Sequence, residues 1–190
     1  MGVGTGAVAG GVKGGVGTAS VMLPGGIIVG ALVSVNSEGA PYDAGGDLLA
    51  APLQLGNEFR VLTPAGGQRP RVPASLPGGP LRSGTLAVVA TNLAITKSMA
   101  TQIAEMAAGG VGRAVSPAHT AGDADTLFVL GTGHLSATGL GDEASLVTQL
   151  GAAGADAVSR AIVHALLAAR STPCQPSYCD AFPSACRNRR

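Results

Sequence analysis

The longest nearly unbroken apolar run spans residues 27–35, Ile-Ile-Val-Gly-Ala-Leu-Val-Ser-Val. Continuous rather than alternating apolarity predicts a strand buried on both faces. Val21-Met22-Leu23 precedes it across Pro24-Gly25-Gly26, a hairpin signal. A second buried strand is predicted at residues 85–91. The spacing then changes: Met99, Ile103, Met106 and Ala107 share one helical face, with Thr96 as cap and Gly109-Gly110 as stop. Another strand follows at residues 126–130. A long helical pattern then carries Leu146, Val147, Leu150, Val158, Ile162, Val163, Leu166 and Leu167. Asp142-Glu143 at its start and Arg170 at its end suit the helix dipole. The order β-β, long loop, β-α-β-α predicts one α/β layered domain over residues 1–190.

Between these elements the chain is rich in turn formers, with 30 glycines and 12 prolines in 190 residues. Residues 2–20 interleave valines with glycines, unlike a Gly/Ser linker, and predict tightly turning packed backbone. Residues 36–59 read as loop. Five prolines between Pro64 and Pro80 predict an exposed linker over 60–84, and residues 171–190 read as a tail. Aromatics are 3%, so small aliphatic side chains must build the core.

Charge narrows the function classes. A net charge of +1 gives no footprint for nucleic acid. No apolar run reaches the roughly 20 residues of a membrane span, and the first residues lack the basic region of a secretory signal. Cys174, Cys179 and Cys186 lack Cys-x-x-Cys spacing, so reduced thiols in a cytoplasmic protein are expected, with no metal and no cofactor. Gly4 to Ala9 fits G-x-G-x-x-A, but without a preceding strand it is a weak nucleotide motif. His119, His134 and His164 are far apart, and no G-x-S-x-G elbow occurs. Asp123 and Asp125, two apart at a strand entry, can point to one side, and like charges this close raise the pKa of one of the pair, which suits binding an amine. A solvated turn is the competing reading.

Ordered blocks carry more. They are GVGTGAVAGGVKGGVGTAS (2–20), IIVGALVSVNSEG (27–39), AAPLQLGNEF (50–59), LAVVATN (86–92), ITKSMATQIAEMAAGGVGRAVSPAHT (95–120), DADTLFVLGTG (123–133) and PSYCDAFPSA (176–185). In order and spacing the chain resembles the L-aminopeptidase/D-esterase (DmpA-like) hydrolases, which include nylon-oligomer hydrolases.

The resemblance implies an αββα sandwich of the N-terminal-nucleophile type, here incomplete at its N-terminal side. It also implies self-cleavage before a Ser or Thr. The freed residue supplies a hydroxyl nucleophile and an α-amine base, whose pKa of about 7.7–8.0 suits proton transfer near neutrality. By the same resemblance Lys13 orients polar groups, Asn36 donates to the oxyanion, and Asp123 and Asp125 hold the amine and hydroxyl. The implied substrate is a small peptide or amide; apolar strand surface that a missing N-terminal portion would cover predicts a homo-oligomer. The nucleophile position, seven before Thr91, is Gly84. Ser83 and Thr85 flank it. Thr85 is a possible displaced nucleophile, although a one-residue slip turns a strand side chain to the opposite face. The alternative expectation is a catalytically inactive homologue or partner subunit.

Overall fold

A computed structural model describes residues 2–61, 63 and 83–187. Most of the expected linker thus lies outside the described residues. The predicted hairpin forms from β3 (Gly15–Leu23) and β4 (Ile27–Val35), with Gly25 and Gly26 at φ 77° and 76° in the connecting turn. Glycine takes those angles without the Cβ clash other residues meet. Ahead of the hairpin, β1 (Val8–Ala9) and β2 (Val12–Lys13) pair antiparallel. After the linker come β5 (Leu86–Leu93), α1 (Lys97–Ala114), β6 (Thr126–Leu135), α2 (Glu143–Ala168) and α3 (Tyr178–Ala181).

The main sheet has the order β3-β4-β5-β6, antiparallel in its first two pairings and parallel in the last. Helices α1 and α2 cover one face. Ile27, Val29, Ala31, Val33 and Val35 of β4 are buried there, with Ala87 and Val89 of β5. The helices approach closely because glycines stand at the contacts. A Cβ on Gly17 would lie 2.1 Å from Ala161 O, and one on Gly110 would lie 2.3 Å from Ala155 O.

That second contact explains a difference from expectation. α1 runs through Gly109-Gly110 to Ala114, since Gly110 serves helix packing and not helix termination. Met106 lies outside the buried face, which Met99, Ile103, Ala107 and Val111 form. β6 likewise extends to Leu135. α2 begins where the acidic pair predicts, and Asp142 caps it by accepting the Ser145 N–H at 3.0 Å, while Thr96 caps α1 as expected.

The expectation of strands buried on both faces is corrected. Phe128 is 61% exposed, Leu86 55% and Leu32 49%. Pairing register sets Thr18, Leu32, Val88 and Phe128 in one row across the outer face, and Ser20, Gly30, Ala90 and Leu130 in the next. Apolar residues occupy both faces of the strands, but the described elements cover only one. The described fold is therefore one helix layer on one sheet.

The expected tail is a packed segment. Tyr178 and Phe182 are buried, Tyr178 Oη donates to Gly46 O at 2.7 Å, and the Tyr42 ring meets Phe182 with centroids 5.0 Å apart. Cys179 and Cys186 form a disulfide, leaving Cys174 free and exposed. This corrects the expectation of three reduced thiols. By length and apolarity α2 could cross a membrane, but 83% of its apolar window is buried inside this fold.

Candidate active site

The start of β5 is where the candidate residues gather. β4 ends at Val35, and the next residue, Asn36, accepts the Gly84 N–H on its backbone carbonyl at 2.5 Å. Asn36 Oδ1 accepts the Val8 N–H at 3.0 Å. With the amide oxygen so engaged, Nδ2 is the donor end of the side chain, the kind of group that stabilises a developing oxyanion. A cavity of about 390 Å³ opens here, lined by Asn36, Ser83, Gly84, Ala124 and the backbone bend at Gly4 and Ala7.

Lys13 acts on that bend from below. It is 7% exposed, and Nζ donates to Gly4 O at 2.7 Å, Gly14 O at 2.8 Å and Ala7 O at 3.0 Å. An ammonium has three protons, and all are used on carbonyls. Burial lowers its pKa from the ordinary lysine value. Lys13 therefore shapes the cavity wall without lining it.

The two aspartates flank the other side. Asp123 forms a bridge with Ser83 and accepts from the Glu38 N–H at 3.2 Å and the Thr120 hydroxyl at 3.0 Å. Burial is the strongest single influence on its carboxyl and pushes the pKa up. Hydrogen bonds from the Ser83 hydroxyl, the Glu38 N–H and Thr120 outweigh it, so Asp123 lies below the ordinary carboxylate range. Local donors, not its acidic neighbour, decide the charge of Asp123.

Asp125 Oδ1 accepts the Thr85 N–H at 2.6 Å. His119 Nδ1 stands 2.8 Å from Asp125 Oδ2, an ion-pair distance whose angles are not those of a hydrogen bond. His119 holds a φ of 55°, uncommon outside glycine.

The structure thus brings Asn36, Asp123 and Asp125 to the segment 83–85, with Lys13 supporting from behind. It does not bring the Thr85 hydroxyl to the cavity. Thr85 is 1% exposed, on the helix side of the sheet, and its Oγ1 is buried without a hydrogen-bond partner. Gly84 has φ 155°, and a Cβ there would lie 2.8 Å from Ala124 C and O.

Sequence reasoning missed a second polar cluster. Arg160 donates to both carboxylate oxygens of Glu58, at 2.6 and 2.7 Å, and to Ser20 O at 3.0 Å, while His164 Nε2 stands 3.1 Å from Glu58 Oε2. Arg160 above all holds the Glu58 carboxyl down at about 2. The cluster borders a separate cavity of about 680 Å³. Glu58 and Arg160 are 102 positions apart, so no local spacing could reveal the pair.

The described elements form a layered α/β domain with a polar cavity at the start of a central strand, flanked by Asn36, Asp123 and Asp125. The sequence model of Peptidase family S58 matches residues 1–177, and the chain belongs to that family. It is 40% identical to an uncharacterized aminopeptidase of Mycobacterium leprae over 199 residues, covering 97% of this chain and 53% of that protein. A second uncharacterized aminopeptidase, from Mycobacterium tuberculosis strain H37Rv, is 37% identical over 196 residues, covering 97% and 57%.

Solved structures agree. The L-aminopeptidase D-Ala-esterase/amidase of Ochrobactrum anthropi, described as a variant of the Ntn hydrolase fold, superposes with a TM-score of 0.58 at 26% identity, covering 90% of this chain and 46% of that one. The β-aminopeptidase of a Burkholderia species gives 0.56 at 27%, covering 86% and 44%. The chain spans about half the length of the relatives it matches.

Proposed function

We propose that this chain carries an amide- or peptide-hydrolysing site of the N-terminal-nucleophile type, acting on small peptides or amides. The observation that carries the reading is the convergence of Asn36, Asp123 and Asp125 on residues 83–85 in a member of Peptidase family S58. In this reading Asn36 Nδ2 stabilises the oxyanion, and the aspartates orient the amine and hydroxyl of the nucleophile. Lys13 keeps the glycine bend in place. The test is release of nitroaniline from amino-acyl p-nitroanilides by the purified chain. Hydrolysis that falls at least about a hundredfold in Asn36→Ala supports it, since one lost oxyanion donor costs about that much. A rate no different from buffer refutes it.

Gly84 favours a second reading, a homologue or partner subunit that keeps the fold without the chemistry, because the position that bears the hydroxyl in the resembled family has none. The same assay separates the two. We further propose that the open sheet face mediates self-association. Cytoplasmic residence is the expectation that the cysteine spacing raised. The Cys179–Cys186 disulfide argues against it, since disulfides persist chiefly in oxidising compartments. Counting free thiols after alkylation in situ decides: three per chain fit the cytoplasm, and one does not.

A further inference from the structure

We propose a second ligand site, separate from the candidate active site: a groove across the outer sheet face that takes a linear aliphatic chain bearing a neutral carbonyl oxygen. Its shape follows from the pairing register. Ser20, Gly30 and Ala90 stand side by side on β3, β4 and β5, so this row carries only small side chains. Thr18, Leu32 and Val88 form the row on one side, and Met22 and Ile28 stand exposed in the row on the other. Small residues between larger ones make a channel that crosses the strands. Adjacent strands lie about 4.8 Å apart, so a floor three strands wide is about 10 Å long. The channel is open at its middle, where a Cβ on Gly30 would meet only Ala19 O and Ser20 Cβ, each at 3.8 Å.

The cavity of about 680 Å³ joins this channel to the polar cluster beside β3, since Ser20, Gly30, Leu32 and Val88 line it together with Arg160 and His164. That volume falls in the range of small-molecule sites, about 300–1,000 Å³. The cluster selects the head group. A carboxylate offers about four lone-pair sites, and those of Glu58 face two Arg160 N–H groups, the Leu55 N–H and His164 Nε2. A cationic head therefore finds no free acceptor. A guanidinium carries five N–H groups. Arg160 commits two to Glu58 and one to Ser20 O, so two remain for a ligand oxygen. The charge of Arg160 is already matched by Glu58, and an anionic head would meet that carboxylate. A neutral carbonyl oxygen fits both conditions, with its aliphatic chain along the small-residue floor.

Isothermal titration calorimetry of the full chain with 2-octanone, octylamine and octanoate tests the site; the ketone has no amide bond to cleave. The expected result is binding of one 2-octanone per chain, weaker binding of octanoate and none of octylamine. Gly30→Leu fills the channel from its floor and should weaken ketone binding at least about tenfold, the loss expected when a few methylenes are expelled. Ala90→Leu should act alike, and circular dichroism matching wild type shows that each variant folds. No ketone binding, or octylamine binding as tightly as the ketone, overturns the proposal. So does ketone binding that both folded variants retain, or that Asn36→Ala abolishes, which would place the ketone in the candidate active site. Failure to bind, with light scattering showing a dimer that Gly30→Leu dissociates, assigns the groove to a second copy instead. No arm reads hydrolysis, so each result leaves the hydrolase reading where the nitroanilide assay puts it.

Discussion

Replacing Glu58 by Gln tests the cluster that ties the loop after β4 to α2. The carboxylate receives both forks of the Arg160 guanidinium and the Leu55 N–H, and Arg160 is only 5% exposed. Arg160's hydrogen bond is the main reason that Glu58 titrates at about 2 instead of 4.5, against an opposing effect of burial. At about 1.36 kcal/mol per pH unit that interval amounts to about 3 kcal/mol. The folded pKa lies below the unfolded one, so this stability is complete above about pH 5 and lost as pH falls through 4.5 toward 2. The substitution also strands a buried cation, a change that costs about 3–5 kcal/mol when one partner of a buried pair is removed. Urea denaturation at pH 7 should show Glu58→Gln about 3 kcal/mol less stable than wild type, a midpoint shift of at least about 1 M for a domain of this size. At pH 3 the gap should roughly halve, because wild type has by then surrendered part of its advantage. A gap of equal size at pH 7 and pH 3 would refute the argument, since it would mean that Glu58 contributes by packing and not by charge.

Other substitutions read other parts of the fold. Lys13→Met removes the ammonium from three carbonyls; Gly4 O and Ala7 O keep the N–H groups of Ala7 and Gly14, so the loss falls mainly on Gly14 O and should cost about 1–3 kcal/mol in urea denaturation. Thr85→Val removes a buried hydroxyl with no partner and should leave the thermal midpoint equal or higher, whereas a lowered midpoint would show that the hydroxyl is engaged. The outer sheet face should drive self-association visible by light scattering, and Leu32→Ser with Phe128→Ser should return the mass toward that of a monomer. Gly84→Thr should lower stability by about 2 kcal/mol or more, because a Cβ must displace the Ala124 backbone. An unchanged melting midpoint would show that the segment relaxes freely.

Elements with a local signature were legible in the sequence. The hairpin turn is written as Pro24-Gly25-Gly26, and the start of α1 as Thr96, whose hydroxyl accepts the Met99 N–H. Signals whose meaning depends on a distant neighbour were not. Gly109-Gly110 resembles a helix stop until Ala155 is placed against Gly110. An apolar strand cannot show how many of its faces are covered, because coverage belongs to other segments; β4 is apolar on both faces and buried on one. The C-terminal segment reads as solvated because its last residues include Arg187, Arg189 and Arg190. Its burial depends on Tyr42 reaching Phe182 and on Gly46 accepting from Tyr178, contacts across more than a hundred residues.

The site was legible in a different sense. Asn36 came from resemblance, and Asp123 and Asp125 from spacing and then resemblance; no spacing rule links residue 36 to residue 84. Pairing supplies that link: Ser34 opposite Leu86 extends to the Asn36–Gly84 hydrogen bond, and Leu86 opposite Thr126 extends to Ser83 opposite Asp123. Resemblance carries positions, but not the consequence of changing one of them. With glycine at 84 the backbone takes φ 155° and closes on Ala124, so the space a side chain would use is filled by main chain. On either side, Thr85 faces the core and Ser83 lines the cavity. Of residues 83–85, the hydroxyl-bearing one that lines the cavity stands one residue before the position that the family spacing indicates.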